Sequence, residues 1–159
     1  MRVITRSAEI PATAEAVWPV VSAADRLPDW YSLADRVDVV TGQGMGERRL
    51  AHGRHDGRRQ EIDQEVVEHE PHKVIAWRQL AERHDGEPAT VRATDVLFRV
   101  RLEPEGRGTR VRLESQLTPA GIGRAIALHL VGAAAIGREL DECLVRLTRS
   151  LELEQEHGR

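Results

Sequence analysis

Three residues of the sequence are of types that can move a proton or stabilise a negatively charged oxygen. His129 lies on the apolar side of a helical pattern, between Ile126 and Ala133, and imidazole can donate, accept or shuttle a proton near neutral pH. The Tyr31 hydroxyl can orient a carbonyl or a phenol, and Arg48 can stabilise enolate charge. His129, Tyr31 and Arg48 are therefore candidate catalytic residues, although His129 also fits a core histidine bonded to a backbone carbonyl.

The remaining histidines and the cysteine indicate no metal site. His52 and His55 are three residues apart, and His69 and His72 flank a proline, but neither spacing matches a zinc motif. Cys143 is the only cysteine, so neither an internal disulfide nor a thiolate cluster is expected. We expect solvated turn histidines, no metal and no cofactor.

The composition predicts one globular domain over residues 1–159. Hydrophobic residues make up 40% and charged residues 31% of the chain, which suffices for a core and a solvated surface. The net charge of -3 argues against nucleic-acid binding, which usually requires a basic excess. The segment 1–10 lacks the apolar run of a signal peptide, and no stretch approaches the roughly 18 apolar residues that span a membrane. We therefore expect a cytoplasmic monomer or homodimer without membrane insertion.

Periodicity predicts a strand, two short helices, further strands and one long helix. Thr13 is placed to cap the first short helix, which we expect to be broken or distorted at Pro19, and a second helical turn covers 25–30. Loops are predicted at 53–57 and 81–89 and a turn at 105–108. The predicted strands are Arg2–Ile10, Arg36–Val40, Glu47–His52, Arg58–Val67, Lys73–Leu80, Val91–Leu102 and Thr109–Leu117.

The C-terminal part of the chain has the period of an amphipathic helix. Between Gly123 and about Glu156, apolar residues recur at steps of three and four. Only this helix is large enough to cover the antiparallel sheet that the strands predict. The predicted fold class is α+β, with a curved antiparallel sheet of six to seven strands around the long C-terminal helix. The stripe consists of Ile126, Ala133, Ile136, Leu140, Leu144, Leu147 and Leu151.

Four short sequence segments resemble those of a known family, and the resemblance covers nearly the whole chain. They are Ile10–Trp18 (IPATAEAVW), Leu27–Trp30 (LPDW), Gly44–Arg49 (GMGERR) and Val74–Trp77 (VIAW). Together with the element order, they resemble the SRPBCC or START-like helix-grip superfamily, and most closely its bacterial polyketide cyclase/dehydrase-type proteins. The resemblance implies a helix-grip fold with a hydrophobic cavity, whose entrance is often gated by the second short helix. It does not imply one activity, because the superfamily includes enzymes, carriers and receptors.

Comparison with the aromatase/cyclases of this superfamily bears on catalysis. In its aromatase/cyclases, a small polar residue and an arginine stand two and four positions after a mid-sheet tryptophan and help to line the pocket. After Trp77 these positions hold Gln79 and Ala81. The resemblance therefore supports the cavity more strongly than it supports cyclase chemistry.

Strand alternation predicts which residues line the cavity. The inward set is mainly apolar but includes several polar side chains, and burying these is costly unless a ligand or water bonds them. The alternative for any one of them is a place at the rim of the sheet. The candidate ligand-binding residues are Trp30, Tyr31, Arg48, His52, Gln64, Trp77, Gln79, Thr94, Val96, Phe98, Ser115, His129 and Ala133.

Three functions are compatible with these observations. The first is binding of a small hydrophobic or aromatic metabolite, such as a lipid, polyketide or isoprenoid, in a cavity between the sheet and the C-terminal helix. The second is a polyketide cyclase/dehydrase-type enzyme that promotes aldol cyclisation or dehydration. The third is a stress-response or protein-interaction module, which would need an exposed apolar patch.

Overall fold

The helices and strands follow the predicted order. The structure, a computed structural model, describes residues 1–89, 93–121 and 132–158. The helices are α1 (Ala14–Ser22), α2 (Leu27–Trp30) and α3 (Ala133–His157), and a 3-10 turn at Ala24–Arg26 joins the first two. The strands are β1 (Arg2–Ile10), β2 (Arg36–Thr41), β3 (Arg48–His55), β4 (Arg58–Glu70), β5 (Val74–His84), β6 (Glu87–Pro88), β7 (Ala93–Glu105) and β8 (Gly108–Pro119).

The strands form one antiparallel sheet that is covered by the helices. Its order is β1-β8-β7-β5-β4-β3-β2, and the two-residue β6 pairs with β5 alone. Helix α3 lies against β1, β8 and α2. The predicted α+β helix-grip architecture is confirmed, with the short helices after the first strand and the long helix at the C-terminal side.

Helix α3 docks through the predicted stripe. Its buried residues include Leu140, Leu144, Leu147 and Leu151, which recur at steps of three and four residues. Burial of such an apolar face supplies most of the stability of a helix in a folded protein. The predicted start of this helix, including Ile126 and His129, falls outside the described residues. Among the helices of the described ranges, none combines the length and the apolar composition needed to cross a membrane.

The first helix has the predicted cap but is continuous. The Thr13 hydroxyl accepts a hydrogen bond from the Ala16 amide at 3.2 Å. The predicted break at Pro19 is wrong, since α1 runs through this residue to Ser22. The Pro19 ring is exposed at the helix surface, and its missing N–H removes one helical hydrogen bond.

Two of the predicted loops are tight hairpin turns. Asp56 and Gly57 have φ of 51° and 76°, and Asp85 and Gly86 have φ of 50° and 81°. Positive φ at both central residues defines the Asp-Gly hairpin turn that suits the twist of adjacent strands. The strands therefore continue to the turns, and the loops predicted at 53–57 and 81–89 are wrong.

The inner face of β3 is set by the chain that lies on it. Arg49 and Ala51 are buried at 2% and 3% exposure. A Cβ atom on Gly53 would come within 2.8 Å of the Leu33 carbonyl oxygen, so the segment after α2 leaves no room for a side chain at position 53. The interior set of β3 is therefore Arg49, Ala51 and Gly53, and the prediction that placed Arg48 and His52 inward is wrong by one residue.

Candidate functional site

Four of the five aromatic side chains of the chain form one cluster between the sheet and the short helices. The Trp77 and Phe98 rings stack with centroids 5.1 Å apart and an interplanar angle of 17°. Tyr31 meets both rings edge-on, 5.6 Å from Trp77 and 5.1 Å from Phe98. Trp30 lies 6.1 Å from Phe98. A chain with only 3% aromatic residues thus concentrates them at one place.

Sheet register and one hydrogen bond position these rings. Trp77 on β5 and Phe98 on β7 are directly paired across the strands, which favours contact between large side chains. Trp30 donates its indole N–H to the Val20 carbonyl at 3.0 Å. This bond fixes α2 against α1 and so places Tyr31, the next residue, over the sheet.

A buried arginine lies beside the cluster. The Cζ atom of Arg49 is 5.6 Å from the centre of the Trp77 ring, within the range of a cation–π contact. Its Nε donates to Glu47 Oε1 at 2.7 Å and its Nη2 to the Ser22 carbonyl at 2.6 Å. The charge of this side chain is therefore paired, as buried charges must be.

Three polar atoms at this place are buried without a hydrogen-bond partner among the described residues. They are Arg49 Nη1, Gln64 Oε1 and Trp77 Nε1. Arg49 is paired across the strands with Gln64, and Gln64 with Gln79. Trp77 and Gln64 are close enough to the Tyr31 hydroxyl to lower its pKa through weak hydrogen bonding. Because buried polar groups are almost always bonded, Arg49 Nη1 above all indicates a place where another molecule, solvent or ligand, completes the bonds.

Burial raises the pKa of three titratable groups nearby. Burial raises the pKa of the Tyr31 hydroxyl above its ordinary value, and the neighbouring Trp77 side chain opposes the rise only in part. Burial also raises the pKa of Glu139, against the opposing effect of His55. The pKa of Cys143 is likewise raised by burial, although Ser32 lies 3.4 Å away. Tyr31 is thus a protonated hydroxyl that can donate to an acceptor at neutral pH.

A pocket of about 520 Å³ opens beside the arginine and the glutamine, where residues of β2, β3, β4 and β5 meet, and none of the four aromatic rings lines it. Its volume is in the range of small-molecule sites. It adjoins the irregularity in the β4–β5 pairing between Asp63 and Gln64, and such irregularities are frequent beside binding sites. Residues that line the pocket include Val40, Arg48, Arg49, Asp63, Gln64 and Leu80.

The structure brings together the central part of the predicted site. Trp30, Tyr31, Gln64, Trp77 and Phe98 are all buried. The flanking candidates are half-buried, and they are Gln79, Val96, Ser115 and Ala133.

Three predicted site residues lie elsewhere. Arg48 pairs with Glu65 at 3.2 Å and His52 with Asp38 at 3.0 Å, both on the outer face of the sheet. Their predicted interior placement is wrong because the phase of β3 is shifted by one residue. Thr94 is exposed, since the β7–β8 pairing is irregular between Thr94 and Leu97 and breaks the strand alternation.

His129, the remaining catalytic candidate, lies outside the described residues. Its predicted role as a ligand contact or proton-transfer group therefore stays a prediction. Among the histidine, cysteine and acidic residues of the described ranges, no group of three is arranged to hold a metal ion.

Sequence reasoning missed Arg49 and its partner Glu47. Placing Arg48 and His52 in the interior puts Arg49, which is out of phase with them, on the surface. The signal that could have corrected the phase is the alternation of small residues at Ala51 and Gly53, which is typical of a strand approached closely by another segment.

Comparison with known proteins identifies the family. The sequence profile of the family described as "Polyketide cyclase / dehydrase and lipid transport" matches residues 1–152. The chain belongs to this family. None of the curated proteins matches the sequence.

Solved structures share the fold at low sequence identity. TTHA0849 from Thermus thermophilus superposes with a TM-score of 0.74 at 15% identity, over 96% of this chain and 99% of that one. Zhui aromatase/cyclase from Streptomyces sp. R1128 gives 0.73 at 17% identity, over 95% and 93%. Ara h 8.0201 gives 0.69 at 11% identity, over 94% and 97%. Likeness at such identities supports the fold and leaves the activity to be argued from the site.

Proposed function

We propose that this protein binds a small hydrophobic or aromatic metabolite against the Tyr31, Trp77 and Phe98 rings, between the sheet and the helices. The observation that carries the proposal is the group of three buried, unpartnered polar atoms on Arg49, Gln64 and Trp77 beside those rings. Apolar walls with a few polar anchors are typical of ligand sites. The family, whose description includes lipid transport, supports the same class of ligand.

Native mass spectrometry of the freshly purified protein, followed by denaturing extraction, is the first test. We expect a small molecule that is retained in the native spectrum and released on unfolding. Calorimetric titration with acetylnaphthalene is the second test, because its rings can stack on aromatic side chains and its ketone can accept hydrogen bonds. We expect saturable binding that Trp77→Leu weakens by about tenfold or more.

Trp18→Leu is the matched control, since Trp18 contacts His69 and His72 instead of the cluster. It should leave the affinity within about threefold of the wild type, a free-energy change below about 1 kcal/mol. Circular dichroism establishes that both variants are folded. Absence of both a co-purified molecule and saturable binding would refute the proposal, as would equal losses in the two variants.

A second candidate function is proton transfer of the cyclase/dehydrase kind. The observation that favours it is the Tyr31 hydroxyl, which is buried against Trp77 and Phe98 and remains protonated at neutral pH. A phenol in this position can donate a hydrogen bond to a ketone oxygen and so stabilise the enolate that forms when a solvent base removes the α-proton, and one such donor typically contributes about 10²- to 10³-fold.

Enolisation of benzoylacetone, followed as exchange of its α-protons in deuterated buffer by NMR, measures this activity. We expect the protein to accelerate the exchange and Tyr31→Phe to reduce the acceleration by about tenfold or more. Binding of acetylnaphthalene should persist in that variant, because the ring remains. Exchange that is unaffected by the protein, or equally fast with Tyr31→Phe, would leave binding as the function.

A further inference from the structure

We propose that the buried end of the ligand carries a neutral carbonyl oxygen held by Arg49, and that Glu47 sets this preference by neutralising the guanidinium. The inference rests on the ligand-binding function proposed above and specifies the chemistry of the bound group. Arg49 belongs to β3. The resemblance to the aromatase/cyclases concerned different positions, the residues two and four after Trp77 on β5.

The hydrogen bonds of Arg49 leave one of its nitrogens without a partner but leave no unpaired charge. Its Nε bonds to the Glu47 carboxylate, and its Nη2 bonds to the Ser22 carbonyl. Its Nη1 has no partner among the described residues. Arg49 is 2% exposed, so this N–H cannot be satisfied by bulk solvent. A ligand acceptor at this position would complete the bonding of the guanidinium.

The other charges of the pocket are also paired. Arg48 contacts Glu65 at 3.2 Å, and Asp63 contacts Arg83 at 2.7 Å. The described lining of the pocket therefore offers no unpaired cation to an entering anion. A carboxylate would lose its hydration and approach the negative charge of Glu47, and burying an uncompensated charge is far more costly than burying a carbonyl.

One of the two remaining unpartnered atoms fits the same ligand. Trp77 Nε1 is a second donor beside the cation–π contact with Arg49, and a carbonyl oxygen has two lone pairs with which to accept. Gln64 Oε1 is an acceptor only, so it bonds neither a carbonyl nor a carboxylate oxygen and needs a donor from solvent or from another part of the ligand. A ketone, ester or amide oxygen on an apolar body therefore suits the two donors, whereas an ionised carboxylate does not.

Three probes with one apolar body test the inference. Calorimetric titration compares acetylnaphthalene, naphthoate and ethylnaphthalene at neutral pH. In the wild type we expect the ketone to bind about 10- to 100-fold more tightly than the hydrocarbon, because only the ketone gains a hydrogen bond to a charged group. Naphthoate should bind more weakly than the ketone.

Glu47→Gln should reverse the preference between ketone and acid. The amide oxygen can still accept from Arg49 Nε, but the guanidinium is no longer neutralised. We expect naphthoate to gain about tenfold or more, while acetylnaphthalene stays within about threefold. Glu142→Gln on the exposed face of α3, where Glu142 pairs with Arg146 at 2.9 Å, removes the same charge and should change neither affinity.

The outcomes separate this inference from the function on which it rests. If acetylnaphthalene and ethylnaphthalene bind equally well, the site binds ligands but Arg49 does not select a carbonyl. If naphthoate binds the wild type as tightly as the ketone, the charge argument is overturned. If no probe binds, the proposed binding function fails as well. The wild-type order of affinities decides these cases even if Glu47→Gln does not fold.

Discussion

Trp30→Ala lowers the free energy of unfolding by about 3–5 kcal/mol, as expected for truncation of a buried tryptophan. Trp30 is completely buried, contacts Tyr31 and Phe98, and holds the Val20 carbonyl through its indole N–H. The variant loses this packing and leaves a buried carbonyl without its donor. Urea unfolding followed by far-UV circular dichroism measures the change without relying on tryptophan emission.

Two further variants divide this loss into its causes. Trp30→Phe keeps an aromatic ring but removes the N–H donor, so we expect a loss of about 1–3 kcal/mol. Trp18→Ala removes a half-buried tryptophan that packs on His69 outside the cluster and should cost about 1 kcal/mol. Equal losses for Trp30→Ala and Trp18→Ala would contradict a stabilising role of the aromatic cluster.

Leu147→Ala removes a second large contribution to stability, about 2–5 kcal/mol. Leu147 is 0% exposed on the face of α3 that docks on the sheet. Shortening it opens a cavity that close-packed neighbours cannot fill completely. The same urea unfolding experiment measures the loss, and the slope of the transition should stay that of the wild type if folding remains two-state.

Val145→Ala is the matched control on the same helix. Val145 is 55% exposed, and alanine has the higher helix propensity, so the free energy of unfolding should change by less than about 0.5 kcal/mol. Similar losses for the two α3 variants would mean that the helix is not docked through the face that contains Leu147.

The elements with long, regular patterns could be predicted from the sequence. The apolar stripe of α3 from Leu140 to Leu151 repeats over several turns, and the core-facing residues Val100, Leu102, Val111 and Leu113 alternate without interruption on β7 and β8. Such repeats determine which face is buried whatever packs against it. The same alternation correctly placed Gln64, Trp77 and Phe98 in the interior.

The errors concern positions where alternation is interrupted or ambiguous. Thr94 does not lie on the predicted inner face, because the register of the β7–β8 pairing shifts between Thr94 and Leu97. A shift of one residue moves side chains to the opposite face of the sheet. The Asp56–Gly57 turn was within reach of sequence reasoning, because Asp-Gly is a strong hairpin signal. Without this turn, the predicted β3 ended at His52. It therefore did not include Gly53, one of the small residues that indicate which face of β3 is buried.

The sequence by itself determined the order of the elements, the stripe of the C-terminal helix and the resemblance to the helix-grip family. Only the tertiary structure decided that Arg49 instead of Arg48 enters the interior. Neighbouring residues Arg48, Arg49 and Leu50 carry no clear period, so the choice depends on the segment around Leu33, whose carbonyl approaches Gly53. The candidate site follows from that choice. The Arg49 guanidinium pairs with Glu47, and it lies over the ring of Trp77, which belongs to a different strand.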